Sequence, residues 1–154
     1  MWATAQLVIL ILVRVRRGIC LKHYWRRVNK MNDIGIVIVS HSKNIAQGVV
    51  DLVREVAKDV EITYVGGTED GGIGTSFERV QAVVEANSKE TLLAFFDLGS
   101  AKMNLEMVPD FSDKTIHINY VPIVEGTYTA AALLQAGAEQ DVILAQLAEL
   151  KMEK

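Results

Sequence analysis

Cysteine is almost absent from this sequence: Cys20 is the only one in 154 residues. A single cysteine excludes a disulfide framework and the cysteine-built metal motifs. It suits a reducing compartment, so a cytoplasmic location is expected. Aromatic residues make up only 6% of the chain, while Val, Ile, Leu and Ala dominate. That balance fits an α/β domain with buried parallel strands. No apolar run approaches the ~20 residues that a membrane-spanning helix needs. The length allows one well-buried domain and is too short for two of ordinary size.

Acidic side chains are missing from residues 1–30, which hold Arg14, Arg16, Arg17, Lys22, Arg26, Arg27 and Lys30. The other nine basic residues and all 19 acidic ones lie in residues 31–154, a formal charge of −10. This part has no basic stripe, which argues against a nucleic-acid partner. Its charge suits steering toward a basic protein. Residues 1–30 read as an N-terminal extension outside the fold. The apolar run Leu7–Val13 precedes its arginines, the reverse of a signal peptide. Met31 directly precedes the first convincing strand, so the domain is expected to span 31–154. The rival reading is a basic amphipathic tail resting on a membrane through Trp25, Arg26 and Arg27. Membrane contact is not expected. Cys20 and His23 have no partners at ligand spacing and receive no role.

Within 31–154, hydrophobic periodicity predicts strands over 35–39, 60–65, 91–96 and 115–120. Helices are predicted over 44–58, 76–86, 101–107, 124–136 and 141–150. Ile45, Val49, Leu52, Val53 and Val56 form the expected apolar face of the first helix. Thr75 or Ser76 is placed to cap the second, and Gly137 to stop the fourth. The alternation β-α-β-α-β-α-β-α-α implies a mostly parallel sheet with helices on both faces, a flavodoxin-like three-layer sandwich. Ligands of such sheets bind beyond the carboxyl ends of the strands. Three polar loops, Ser40–Lys43, Gly66–Ser76 and Asp97–Ser100, are expected to meet at that edge.

His41 ends a buried strand and precedes a helix, whose unpaired N–H groups and dipole favour an anion. Imidazole titrates near neutrality, so an uncharged nucleophilic nitrogen is available there. A partner on the other nitrogen would fix the tautomer, and Asp97 is the candidate. The alternative is a loop histidine bonded to its own backbone. The glycine-rich loop lacks G-x-x-x-x-G-K-[ST] and G-x-G-x-x-G, so it is not read as a nucleotide site. Its glycines suit either close approach to an anion or tight turning. Asp97 and Ser100 supply an acid and a hydroxyl to the cleft, or cap the next helix. Lys43 reads as a solvated helix residue and His117 as a face residue of the fourth strand. The sequence offers no nucleophile elbow and no metal cluster.

Three segments together carry a family likeness: Ile34–Ser42, Gly66–Ser76, and Asp97–Ala101 with Asn104. They resemble the mannose-type IIA domains of the bacterial phosphotransferase system, above all those that serve dihydroxyacetone kinases. The likeness spans nearly all of 31–154. It implies a phosphotransferase component whose active histidine falls on His41 and carries the phosphoryl group covalently, with no bound cofactor. Supporting positions at the phosphoryl site would be Ser42, Gly66, Gly67, Thr68, Gly74, Thr75, Gly99 and Ser100. The resemblance implies HPr as donor. It implies ADP on the DhaL subunit as acceptor, yielding ATP there, with DhaK holding dihydroxyacetone. A homodimer is also implied. Some relatives continue into further carrier domains, whereas this sequence ends at Lys154 and is expected to use separate donors. The alternatives are a sugar-permease IIA domain and a non-catalytic flavodoxin-like binding module.

Overall fold

A computed structural model describes residues 33–151. The N-terminal extension and the readings placed on it lie outside the described residues. Four strands and five helices follow in the expected order. They are β1 (Ile34–Ser40), α1 (Lys43–Arg54), β2 (Ile62–Gly66), α2 (Phe77–Ala86) and β3 (Thr91–Phe96). Then come α3 (Gly99–Met107), a 3-10 turn (Val108–Asp110), β4 (Thr115–Asn119), α4 (Ile123–Gln135) and α5 (Gln140–Glu149).

The strands form one parallel sheet in the order β2-β1-β3-β4. β1 is central and buried along its whole length, which is why its sequence is a continuous β-branched run. Alternation divides its side chains between two cores. Ile34, Ile36 and Ile38 join Leu93 and Phe95 beneath α1, α4 and α5, where Val49, Val53, Ala130 and Ile143 close the layer. Val37 and Val39 join Leu92, Ala94 and Phe96 on the other face, against Val80 and Val84 of α2 and Leu105 of α3. Right-handed crossovers require this split: α1 returns to one side of β1, and α2 carries the chain back across to the other.

The structure departs from the sequence reading at several points. α1 ends at Arg54 rather than 58, because Glu55 and Val56 bond three residues back, to Leu52 and Val53, and tighten the last turn. Its buried face is Ala46, Val49, Val50 and Val53, while Ile45 and Leu52 are 48% and 47% exposed. The helix is rotated so that the smaller Ala46 and Val50 meet the sheet. Ser76 holds the cap position of α2 in extended conformation, but its side chain makes no capping bond. Gly137 does end α4: its N–H bonds Leu134 and that of Ala138 bonds Leu133, the paired closure of a Schellman motif. His117 is a half-buried face residue of β4 beside Gln140, ring nitrogen to amide nitrogen 2.8 Å. No helix among the described residues is long and apolar enough to cross a membrane.

Near the amino ends of the strands, buried Asn87 donates to the Ile36 carbonyl and to Thr63 Oγ1, both at 3.2 Å. A Cβ on Gly35 would lie 2.4 Å from the Asn87 side-chain oxygen, which also accepts from the Lys89 N–H. That side chain has no free direction in which to yield. Gly35→Ala is therefore expected to cost about 1–3 kcal/mol. Urea unfolding should show a lower midpoint with an unchanged slope.

Candidate active site

β1 and β3 are neighbours whose chains leave in opposite directions, one toward β2 and the other toward β4. The crevice beyond their carboxyl ends is the switch point of the sheet, where ligands of this architecture bind. The register pairs Val39 with Phe96, so Ser40 and Asp97 come next, side by side. Both continue the face of Ile38 and Phe95.

Asp97 accepts four hydrogen bonds. Its Oδ2 takes the Ser40 hydroxyl at 2.8 Å and the His41 N–H at 2.9 Å. Its Oδ1 takes the His41 Nδ1–H at 2.8 Å and the Leu98 N–H at 2.7 Å. Burial pushes the Asp97 carboxyl upward, but the bonds from the His41 backbone and ring, Ser40 and Leu98 outweigh it and hold the group below its usual range. An ionised carboxylate only accepts, so the ring proton sits on Nδ1. The Nε2 lone pair then faces outward, where the Ser100 hydroxyl bonds to it. His41 and Asp97 side chains are 15% and 12% exposed, so the ring is held firmly yet reachable.

Ser100 is the second residue of α3. Nε2 thus faces the amino end of α3, whose first-turn N–H groups lack intrahelical partners. A phosphoryl group on Nε2 would emerge beside them, at the positive end of the helix dipole. Sequence reasoning assigned this part to α1, the helix that follows His41. There the Ser42 N–H already bonds to Ser40 Oγ at 3.1 Å, and Lys43 is exposed in the first turn. Asp97 and Ser100 do not cap α3, because Leu98 occupies the cap position.

The glycine-rich loop acts on the backbone around His41. The Gly67 N–H bonds the Ser40 carbonyl at 3.3 Å, and the Gly74 N–H bonds the His41 carbonyl at 2.9 Å. Gly66 packs so tightly that a Cβ there would lie 2.4 Å from the Ser42 carbonyl oxygen. Arg79 of α2 donates to the Gly67 carbonyl. Thr68 closes the loop on itself, through Asp70 by its hydroxyl and Gly72 by its N–H. Thr75 ties the loop to α3, its Oγ1 accepting from Asn104 Nδ2 at 2.9 Å. Gly99 opens α3 at the surface, with nothing where a Cβ would stand. His41, Asp97 and Ser100 are thus brought together. Ser42, Gly66, Gly67 and Gly74 support the backbone beneath them, and Thr68 and Thr75 shape the loop.

Sequence reasoning passed over Ser40 and Arg79, and gave Asn104 no role. Ser40 could have been found: a hydroxyl at the end of a buried strand, in phase with Asp97 on a neighbouring one, is placed to bond it. Arg79 left no such trace, since its partner is a backbone carbonyl. Among the described residues no cluster of three His, Cys, Asp or Glu could hold a metal ion.

Two substitutions test this geometry. Asp97→Asn keeps the shape and removes the charge. The native carboxylate is held below its ordinary value of 3.8. Its stabilisation is therefore present above that value and is lost as pH falls through the lower native one. Asp97→Asn should be less stable than the parent at neutral pH, and the gap should narrow as pH falls below 3.8. A gap independent of pH would show that the charge contributes nothing. Gly66→Ala should push the Ser42 backbone away and shift the His41 ring resonances in NMR spectra, whereas Gly99→Ala should leave them in place.

Known proteins resemble this chain in sequence and in fold. The family described as the PTS system fructose IIA component, EIIA-man, matches residues 35–144. The phosphotransferase subunit DhaM of a PTS-dependent dihydroxyacetone kinase from Lactococcus lactis is 54% identical, over 78% of this chain and 98% of its own length. The phosphoryl donor subunit DhaM of PEP-dependent dihydroxyacetone kinase 1 from Listeria innocua is 48% identical, over 77% and 96%. A crystal structure of a protein of unknown function superposes with TM-score 0.69 at 27% identity, over 79% of this chain and 97% of that one. The chain belongs to the EIIA-man family of phosphotransferase-system components, on the branch formed by the DhaM subunits.

Proposed function

We propose that this chain is a cytoplasmic phosphohistidine carrier, the phosphoryl-donor subunit of a phosphotransferase-dependent dihydroxyacetone kinase. The observation that carries this reading is the His41 ring, with Nδ1–H fixed on Asp97 and Nε2 turned to Ser100 at the amino end of α3. The relative of 54% identity is named the phosphotransferase subunit of such a kinase, and that of 48% the phosphoryl donor subunit.

The chemistry follows from the orientation. The Nε2 lone pair attacks the phosphorus carried on a histidine of HPr. The new N–P bond forms as the donor's N–P bond breaks, and the donor nitrogen regains its electron pair. Nδ1 keeps its proton, and the positive charge that develops on the ring lies against the Asp97 carboxylate. In the second step a terminal phosphate oxygen of ADP, held on DhaL, attacks the same phosphorus. The N–P bond breaks, its electron pair returns to Nε2, and ATP remains on DhaL to phosphorylate the dihydroxyacetone held by DhaK. No proton has to move at Nε2 in either direction. A reaction of this kind asks for positioning and charge stabilisation more than covalent machinery.

The homodimer belongs to the same proposal. Exposed Ile45 and Leu52 on α1 offer apolar surface that a second copy could cover.

The deciding experiment incubates the purified chain with phosphoenolpyruvate, enzyme I and HPr, beside His41→Ala. The expected result is acid-labile, base-stable phosphate on the parent alone, discharged when ADP-loaded DhaL is added. Label that ignores DhaL but passes to a mannose-type permease would favour the sugar-transport reading. No label on the parent, with a working control carrier, would make the chain a silent binding module.

A further inference from the structure

A cavity of about 460 Å³ opens beside the site, and Asp97 and Gly99 form one part of its wall. Lys102, Tyr120 and Lys151 line it as well. Lys102 lies two residues beyond Ser100 on α3. Its ammonium is 3.5 Å from Glu106 and 5.1 Å from the centre of the Tyr120 ring, with both charged side chains more than a third exposed. Contacts of this kind are weak and readily exchanged.

Phosphorylation adds close to two negative charges at Nε2, and the positive charge the ring gains is already taken up by the Asp97 carboxylate. The helix end offers only about half a positive charge. Lys43 and Arg79 are badly placed to help. Lys43 stands on α1, whereas Nε2 faces α3. The Arg79 guanidinium is engaged on the Gly67 carbonyl. Lys102 has a flexible four-carbon stem and open space, rather than packed protein, on the side of Asp97 and Gly99.

We propose that Lys102 is the counter-ion of phosphorylated His41: it leaves Glu106 and Tyr120, enters the cavity and binds the phosphoryl oxygens. The proposal rests on the phosphohistidine reading above. The cavity wall includes Asp97 and Gly99 but neither His41 nor Ser100, so in this proposal it is the space through which Lys102 swings toward the phosphate, and Glu106 is the resting partner that holds Lys102 nearby. Lys151 lines the same space and does not depend on Glu106.

The test compares the parent chain with Lys102→Met, Lys102→Arg and Glu106→Gln, each checked for an unchanged melting temperature. The first readout is the equilibrium constant for phosphoryl transfer from phosphorylated HPr. Lys102→Met should lower it about three- to fivefold, as loss of a partly exposed ion pair would, and Lys102→Arg should restore most of it. The second readout is the ³¹P resonance of the phosphohistidine followed against pH. Losing the ammonium should move the titration of the phosphoryl group to higher pH, while Asp97, Glu106, Tyr120 and Lys151 remain in place. Glu106→Gln, which frees Lys102, should move both readouts the opposite way. Equal constants and equal ³¹P titrations in parent and Lys102→Met would overturn the proposal and leave the carrier function standing. A parent chain that takes no label would overturn both.

Discussion

Four hydrogen bonds converge on the Asp97 carboxylate, from Ser40, from the His41 backbone and ring, and from Leu98. They join the carboxyl end of β1 to that of β3 and fix the histidine by its backbone and its ring together. The same bonds decide which ring nitrogen carries the proton, and so which one can act as nucleophile. Remove the carboxylate, and the ring loses its tautomer, its orientation and the acceptor that balances its charge. A half-buried carboxylate is tolerated in this place because every bond to it comes from a group the fold already holds there.

That convergence depends on the order of the strands. β1 and β3 lie side by side, although β2 separates them in the chain. The two crossovers leave on opposite faces, so no helix among the described residues covers the crevice between the strand ends. Both strands are buried through to their last residues, with Ser40 fully buried and Phe96 6% exposed. The polar groups therefore begin where the apolar layers stop. The glycine-rich loop completes the arrangement by bonding the carbonyls of Ser40 and His41. Gly66 allows it to lie against Ser42 with no side chain between them.

Much of this was legible in the sequence, and the parts that were not have physical reasons. The buried strands announce themselves as β-branched runs, and β3 is found at its expected bounds, Thr91–Phe96. Asp97 as partner of His41 was readable because both stand at the ends of such strands. The rotation of α1 was not readable. Ile45, Val49, Leu52 and Val56 satisfy a helical period as well as the face that is buried, and only the closeness of the sheet selects Ala46 and Val50. Sequence proximity pointed to α1 as the helix facing the phosphoryl group. The ring instead turns toward α3, because Asp97 holds Nδ1 and leaves Nε2 no other direction. The glycines read equally well as anion contacts or as turn formers. The N–H groups of Gly67 and Gly74 settle on the backbone carbonyls of Ser40 and His41, an outcome set by tertiary neighbours that no local pattern reveals.

Charge acts on this protein at two distances. Residues 31–154 carry a formal −10, which opposes the approach of another anionic protein and favours a basic one. Salt screens such a field beyond about 8 Å in physiological conditions, so it bears on encounter more than on transfer. Within that distance the net charge is a poor guide. Beside Nε2 stand the amino end of α3 and the Ser100 hydroxyl, and a cavity lined by two lysines opens next to Asp97 and Gly99, all suited to a dianion. The domain is acidic as a whole, and the proposed function has it receive phosphate at one point. A carrier needs both properties, because it must meet its partners in succession and hold the group only until the next one arrives.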